Sequence, residues 1–184
     1  MVSPMTVHSM RSLTDHTRTG RLVALSLLTA LALVASLVEG RFPLPFPGLR
    51  LGIANVFTLT ALVLLGWRAA MTVALLKVSL AFLLMGNIFA LTCSITGTLL
   101  SLPLAVFLYR RFRDELSLSA LSVGSATAFN VGQMLAVVLI TAEPFILGYL
   151  PLLIAAGCVT GFAVGTLADK LSSRVGVFIR SREG

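Results

Sequence analysis

The chain has 184 residues, 57% of them hydrophobic and 11% charged, with a mean hydropathy of +0.99 and a net charge of +7. A soluble domain carries about 25% charged residues, and here too few polar side chains exist to cover a surface in water. Collagen, coiled coil and disordered chain are excluded as well, for want of a glycine period, charged heptads and polar bias, which leaves a small polytopic membrane protein.

Residues 1–20 are polar and rich in Ser and Thr, and read as a disordered cytoplasmic leader. Its histidines, His8 and His16, lack an acidic or cysteine partner at ligand spacing, so no metal site is expected. The first apolar run, 22–38, exceeds the about 7–15 residues of a signal-peptide core, which favours a retained helix. Then comes RFPLPFPGLR (41–50), whose three prolines forbid a helix.

Further apolar runs occupy 51–67, 69–86, 88–109, 118–141 and 146–169. They are separated by Gly66-Trp67-Arg68, the reversal Gly86-Asn87, the charged connector Arg110–Glu115 and Glu143-Pro144. The expected fold is all-α: a transmembrane domain over 21–171 made of six spans, followed by a basic cytoplasmic tail over 172–184. The second run is short for a span, which leaves room for a tilted or partly broken helix.

Charge sets the direction. With six spans and both termini cytoplasmic, 11 of the 14 Lys and Arg residues fall inside, against Arg41 and Arg50 outside and Lys77 within a span. Were 51–67 a re-entrant loop, most of that charge would lie outside. The basic excess therefore records topology in a cytoplasmic (inner) membrane rather than a nucleic-acid partner. Cys93 and Cys158 lie in apolar runs without a CxxC and read as small hydrophobes. No internal repeat marks an inverted-repeat carrier.

Polar side chains inside lipid need a partner or a cavity. Lys77 stands near the middle of its span, about 12–14 Å from either end at about 1.5 Å per residue, too deep to snorkel easily. Asn130 and Gln133 share a helix face at i, i+3, extended by Thr127. Followed along the chain, Asn55, Asn87, Asn130, Gln133, Glu143 and Arg50 all fall in the middle or outer half. This distribution predicts an outward-facing pocket formed by Lys77, Asn130, Gln133, Asn55 and Asn87 beneath the Pro-rich loop. A central cation there suits a small, anionic solute. A structural lysine satisfied by neighbouring helices, and an amide pair acting as interhelical glue, are the competing readings.

Gly157, Gly161 and Gly165 form a GxxxGxxxG ridge, and Ser26 with Ala30, then Ala32 with Ser36, give the first helix small residues four apart. Both are expected at helix packing or at a partner interface. Pro103 and Pro151 fall within the fourth and sixth spans and could kink them.

Catalytic patterns are missing. The sequence contains no GxxxxGK[ST], HExxH, GxSxG or paired DDxxD, and its adjacent acids, Asp114-Glu115, sit in an arginine-rich connector. The expectation is a non-enzyme without a cofactor.

The segments PGLRLGIANVFTLTALVLLGWRAAMTVALLKV (47–78), SATAFNVGQMLAVVL (125–139) and YLPLLIAAGCVTGFAVGTLADKL (149–171) resemble the Gx transporter family, also called heptaprenyl diphosphate synthase component I. The likeness covers about residues 40–171 and is most specific at LG-x-AN (51–55), N-x-x-Q (130–133) and the glycine ridge. Phe129 stands where the family's HN-x-x-Q-like string has histidine, which argues against a proton relay. The family is similar in size, helix count and Pro-rich first loop to the S components of energy-coupling factor (ECF) transporters. That resemblance implies an ECF S-component-like bundle that binds a small molecule from outside and works with a coupling protein and ATPases. The synthase name implies instead a non-catalytic membrane subunit or scaffold for an isoprenoid, quinone or flavin-linked enzyme.

Overall fold

A computed structural model describes residues 18–41, 52–112 and 115–180, with side chains described from 20 to 173 within those ranges. The expectations for the leader over 1–17, for the Pro-rich loop and Arg50, and for the far end of the tail lie outside the described residues. The described residues form six α-helices: α1 Arg18–Glu39, α2 Asn55–Leu65, α3 Trp67–Met85, α4 Ile88–Arg111, α5 Leu118–Thr141 and α6 Leu150–Arg180. A 3-10 turn, Pro144–Tyr149, leads into α6. Among the described residues, five helices are long and apolar enough to cross a bilayer.

The exception is α2, with 11 residues where the sequence predicts a 17-residue run over 51–67. Glycines cut it at both ends: Gly52 at φ +85° and Gly66 at φ +90° adopt the left-handed region that side chains disfavour. At about 1.5 Å per residue, α2 is about 16 Å long, roughly half the hydrocarbon thickness. Its burial fits that shortness, since nine of its 11 residues are buried among other helices. It lies antiparallel to α1, with a hydrogen bond near each of its ends. The Arg21 guanidinium near the start of α1 donates to the Leu65 carbonyl at the end of α2 (3.1 Å), and the Ile53 N–H just before α2 donates to the Glu39 carboxylate ending α1.

The other boundaries follow local chemistry. Gly86 takes the left-handed C-cap of α3, and the Asn87 side chain caps α4 by accepting from the Ala90 N–H at 3.0 Å. The Ser117 hydroxyl caps α5 in the same way. Pro103 is internal to α4 as expected, but Pro151 is the second residue of α6, a first-turn position where a missing N–H costs nothing. A kink from Pro151 is therefore not found. No proline interrupts 172–180, and α6 runs on to Arg180, so this part of the expected tail is helical.

Helices α4, α5 and α6 pack as one tight group, while α1, α2 and α3 form another that meets α6 through α2. The glycine ridge explains the first. A Cβ on Gly165 would lie 2.4 Å from the Ser119 Cα, one on Gly161 2.8 Å from the Val123 Cα, and one on Gly157 2.5 Å from the Asn130 Nδ2. The ridge thus seats α5 on α6 within the chain and leaves no room for a partner helix there. Gly132 likewise crosses α4 closely, its added Cβ falling 2.7 Å from the Thr96 carbonyl. Helix α1 turns Leu28, Ala32, Ser36 and Glu39 inward, whereas Ser26 and Ala30 lie on its exposed face with Leu22, Leu27 and Val34. Large apolar side chains such as Leu83, Leu139, Val159 and Phe162 cover the outside, as an integral membrane protein requires.

Candidate functional site

Lys77 is the eleventh of 19 residues in α3, too far from either helix end for its side chain to reach water along the helix. It is 4% exposed. The Lys77 ammonium donates to the Asn55 Oδ1 at 3.0 Å. Asn55 can meet it because α2 begins late: Gly52 bends the chain, the Asn55 N–H closes the turn onto the Gly52 carbonyl, and the side chain is left at the mouth of the helix. An amide oxygen aimed at a buried cation offsets part of a desolvation penalty worth at least about 2.5–3.5 kcal/mol on insertion scales.

A third polar group belongs here, and sequence reasoning overlooked it. Glu39, the last residue of α1, is also 4% exposed and lines the same cavity as Lys77 and Asn55, with Ser36, Ser94 and Thr98 nearby. The available signal was an acid directly ending an otherwise uncharged span. At the edge of the apolar run it reads as a boundary residue, yet the helix carries it inside. Phe129, packed against Gly97 of α4, closes the cavity with an apolar wall. The free space open to a water-sized sphere is about 10 Å³, room for about one water. The site is therefore nearly filled by its own side chains.

Glu39 accepts from the Ile53 N–H, one residue beyond Gly52, the first described residue after the α1–α2 connection. The carboxylate thus faces the cavity while fastening the end of that connection. An added Cβ on Gly40 would meet the Met85 Cε at 2.9 Å, so the ends of α1 and α3 also meet at this side of the bundle. At the opposite end Arg21 caps α2, and the Trp67 ring lies 5.5 Å from the Arg68 guanidinium and 5.4 Å from that of Arg110. Arg21, Arg68 and Arg110 thus gather at the end away from the cavity.

Of the five residues expected to line one pocket, the structure brings Lys77 and Asn55 together and disperses the others. Asn130 is buried but turned to α6, its Nδ2 donating to the Leu153 carbonyl at 2.7 Å above Gly157. Gln133 is fully buried in α5 and does not line the Lys77 cavity. Asn87 is exposed and serves as the cap of α4. The i, i+3 spacing did place Asn130 and Gln133 on a buried stretch, but the glycine ridge, a still closer neighbour, claims Asn130. Among the described residues, no group of three or more His, Cys, Asp or Glu could hold a metal ion.

The six-helix bundle has a counterpart among solved structures. The fold is similar to that of the S component of a bacterial ECF transporter, with a TM-score of 0.65 and 23% identity over 89% of this chain and 99% of that one. This defines the class: a polytopic membrane protein with an S-component-like fold. The sequence profile of the family described as heptaprenyl diphosphate synthase component I matches residues 28–171, and the chain belongs to that family. No curated protein matches it.

Proposed function

We propose that the chain is a solute-binding membrane subunit of transporter type, with its site built on Lys77, Asn55 and Glu39. The observation that carries this reading is the Lys77–Asn55 hydrogen bond at a small buried cavity that a carboxylate also lines. A cation kept at depth is costly, and purely structural packing could use an apolar side chain instead. Glu39 refines the solute. Lys77 alone favours an anion, whereas an ammonium and a carboxylate on one cavity favour a small polar molecule with a negative group for Lys77 and a hydrogen-bond donor for Glu39.

Entry requires the cavity to open. A donor on the solute competes with the Ile53 N–H for the Glu39 carboxylate, so binding and the seating of Ile53 before α2 are coupled through one group. The likeness to an S component supports this role, and an energising partner, a coupling protein with ATPases, would supply the work of transport. The test is mass spectrometry of small molecules retained by the purified protein and by its Lys77→Met variant.

The family description favours a second reading, a non-catalytic membrane subunit of a prenyl diphosphate synthase. Purification in mild detergent separates the two: ATPase subunits co-isolate under the first, a prenyltransferase under the second.

A further inference from the structure

Helices α3 and α4 touch at both ends and part between them. They are joined at one end by Gly86-Asn87, and at the other Arg110 of α4 lies over Trp67 of α3. The space between is a groove of about 590 Å³, its walls including Leu75, Leu99 and Phe107 and its mouth Trp67, Arg110 and Arg111. These walls are exposed: Leu75 54%, Leu99 61% and Phe107 58%. In a bilayer such a groove opens onto acyl chains, not water. From Thr98, the deepest α4 residue lining it, to Arg111 is about 20 Å at about 1.5 Å per residue, enough to cross one leaflet of about 15 Å and reach the headgroups. Both guanidinia at the mouth are exposed; among the described residues Arg110 lies over the Trp67 ring and Arg111 over the Phe112 ring, contacts that do not use up their five N–H donors each.

We propose that this groove is a binding site for an anionic phospholipid of the leaflet at the arginine-rich end, one acyl chain lying between α3 and α4 and the phosphate meeting Arg110 and Arg111. The length argues for a bilayer lipid: the groove starts near mid-membrane and ends at headgroup depth. The charge argues for an anionic one, since a phosphate diester with no ammonium beside it keeps its full negative charge for two adjacent cations, whereas a zwitterionic head brings its own ammonium. The site is separate from the Lys77 cavity, and only Thr98 lines both.

Trp67 is the single tryptophan of the chain and stands in the groove mouth, so its fluorescence reports occupancy. The full-length protein is reconstituted in phosphatidylcholine nanodiscs containing a small fraction of lipid brominated on its acyl chains, either phosphatidylglycerol or phosphatidylcholine. The expected result is stronger quenching by brominated phosphatidylglycerol, with a preference that falls about fivefold per guanidinium in Arg110→Gln and Arg111→Gln. A Leu99→Phe variant, which fills the groove and leaves both arginines in place, is expected to lose most of that quenching. Equal quenching by the two lipids overturns the proposal, as does a preference unchanged in the double Arg→Gln variant. Displacement of the brominated lipid by an equimolar prenyl diphosphate also overturns it, because the groove would then belong to an isoprenoid.

Discussion

Lys77 on α3 and Asn55 at the start of α2 are joined by a 3.0 Å hydrogen bond, and Glu39 at the end of α1 lines the cavity they share. Three consecutive helices thus each place one polar group at a single point. Two of these groups carry charge, and each depends on the short α2 being held where it is.

Replacing Asn55 by Ala removes an acceptor from a buried cation. The expected loss is about 1.5–3 kcal/mol of stability, the range for hydrogen bonds to charged groups, read as a lower unfolding midpoint in detergent. A variant as stable as the parent would mean that Lys77 is satisfied without Asn55.

Lys77→Met and Glu39→Gln are each expected to destabilise, because each alters one charge and leaves the other buried. The double variant is expected to recover part of the loss, giving a coupling of about 0.5–3 kcal/mol in a double-mutant cycle. Strict additivity would show that the two side chains share a cavity without interacting.

The glycine ridge makes a prediction with an internal control. Gly165→Ala places a Cβ 2.4 Å from the Ser119 Cα and is expected to cost about 1–3 kcal/mol by overpacking, whereas Gly148→Ala meets nothing within 4 Å and is expected to be close to neutral. Thermal unfolding of the two variants side by side checks it.

Orientation can be read with cysteine labels in a Cys158→Ser background. A cysteine at Gly148, near the cavity end, is expected to react with an impermeant maleimide added to intact cells. One at Leu116, next to the arginine-rich connector, is expected to react only after permeabilisation. The reverse pattern would place the cavity on the cytoplasmic side and remove the receptor-like reading.

How much of this could be read from the residues differs by element. Composition and Gly/Asn punctuation gave six helices and most of their breaks, because lipid leaves the backbone few alternatives. The length of α2 was harder to read, since an apolar run does not reveal that Gly52 and Gly66 both take positive φ and trim the helix from within. Lys77 was found because a charge in mid-span stands out, and Asn55 because its place along the chain set it near the same depth. Glu39 escaped because one residue separates a boundary acid from a buried one, and only the packing of α1 on α2 and α3 decides between them. Asn130 shows the opposite limit. Helical spacing reveals which residues share a face, but which neighbour that face meets is fixed by Gly157, twenty-seven residues later in the chain.

The most direct measurement is native mass spectrometry of the purified protein and its Lys77→Met variant, both verified as folded by helical circular dichroism. The account predicts a small polar molecule bound to the parent in equal amount to protein and reduced at least about tenfold in the variant, the equivalent of about 1.4 kcal/mol. The same molecule retained equally by both would contradict it, and Lys77 would then be a structural cation only.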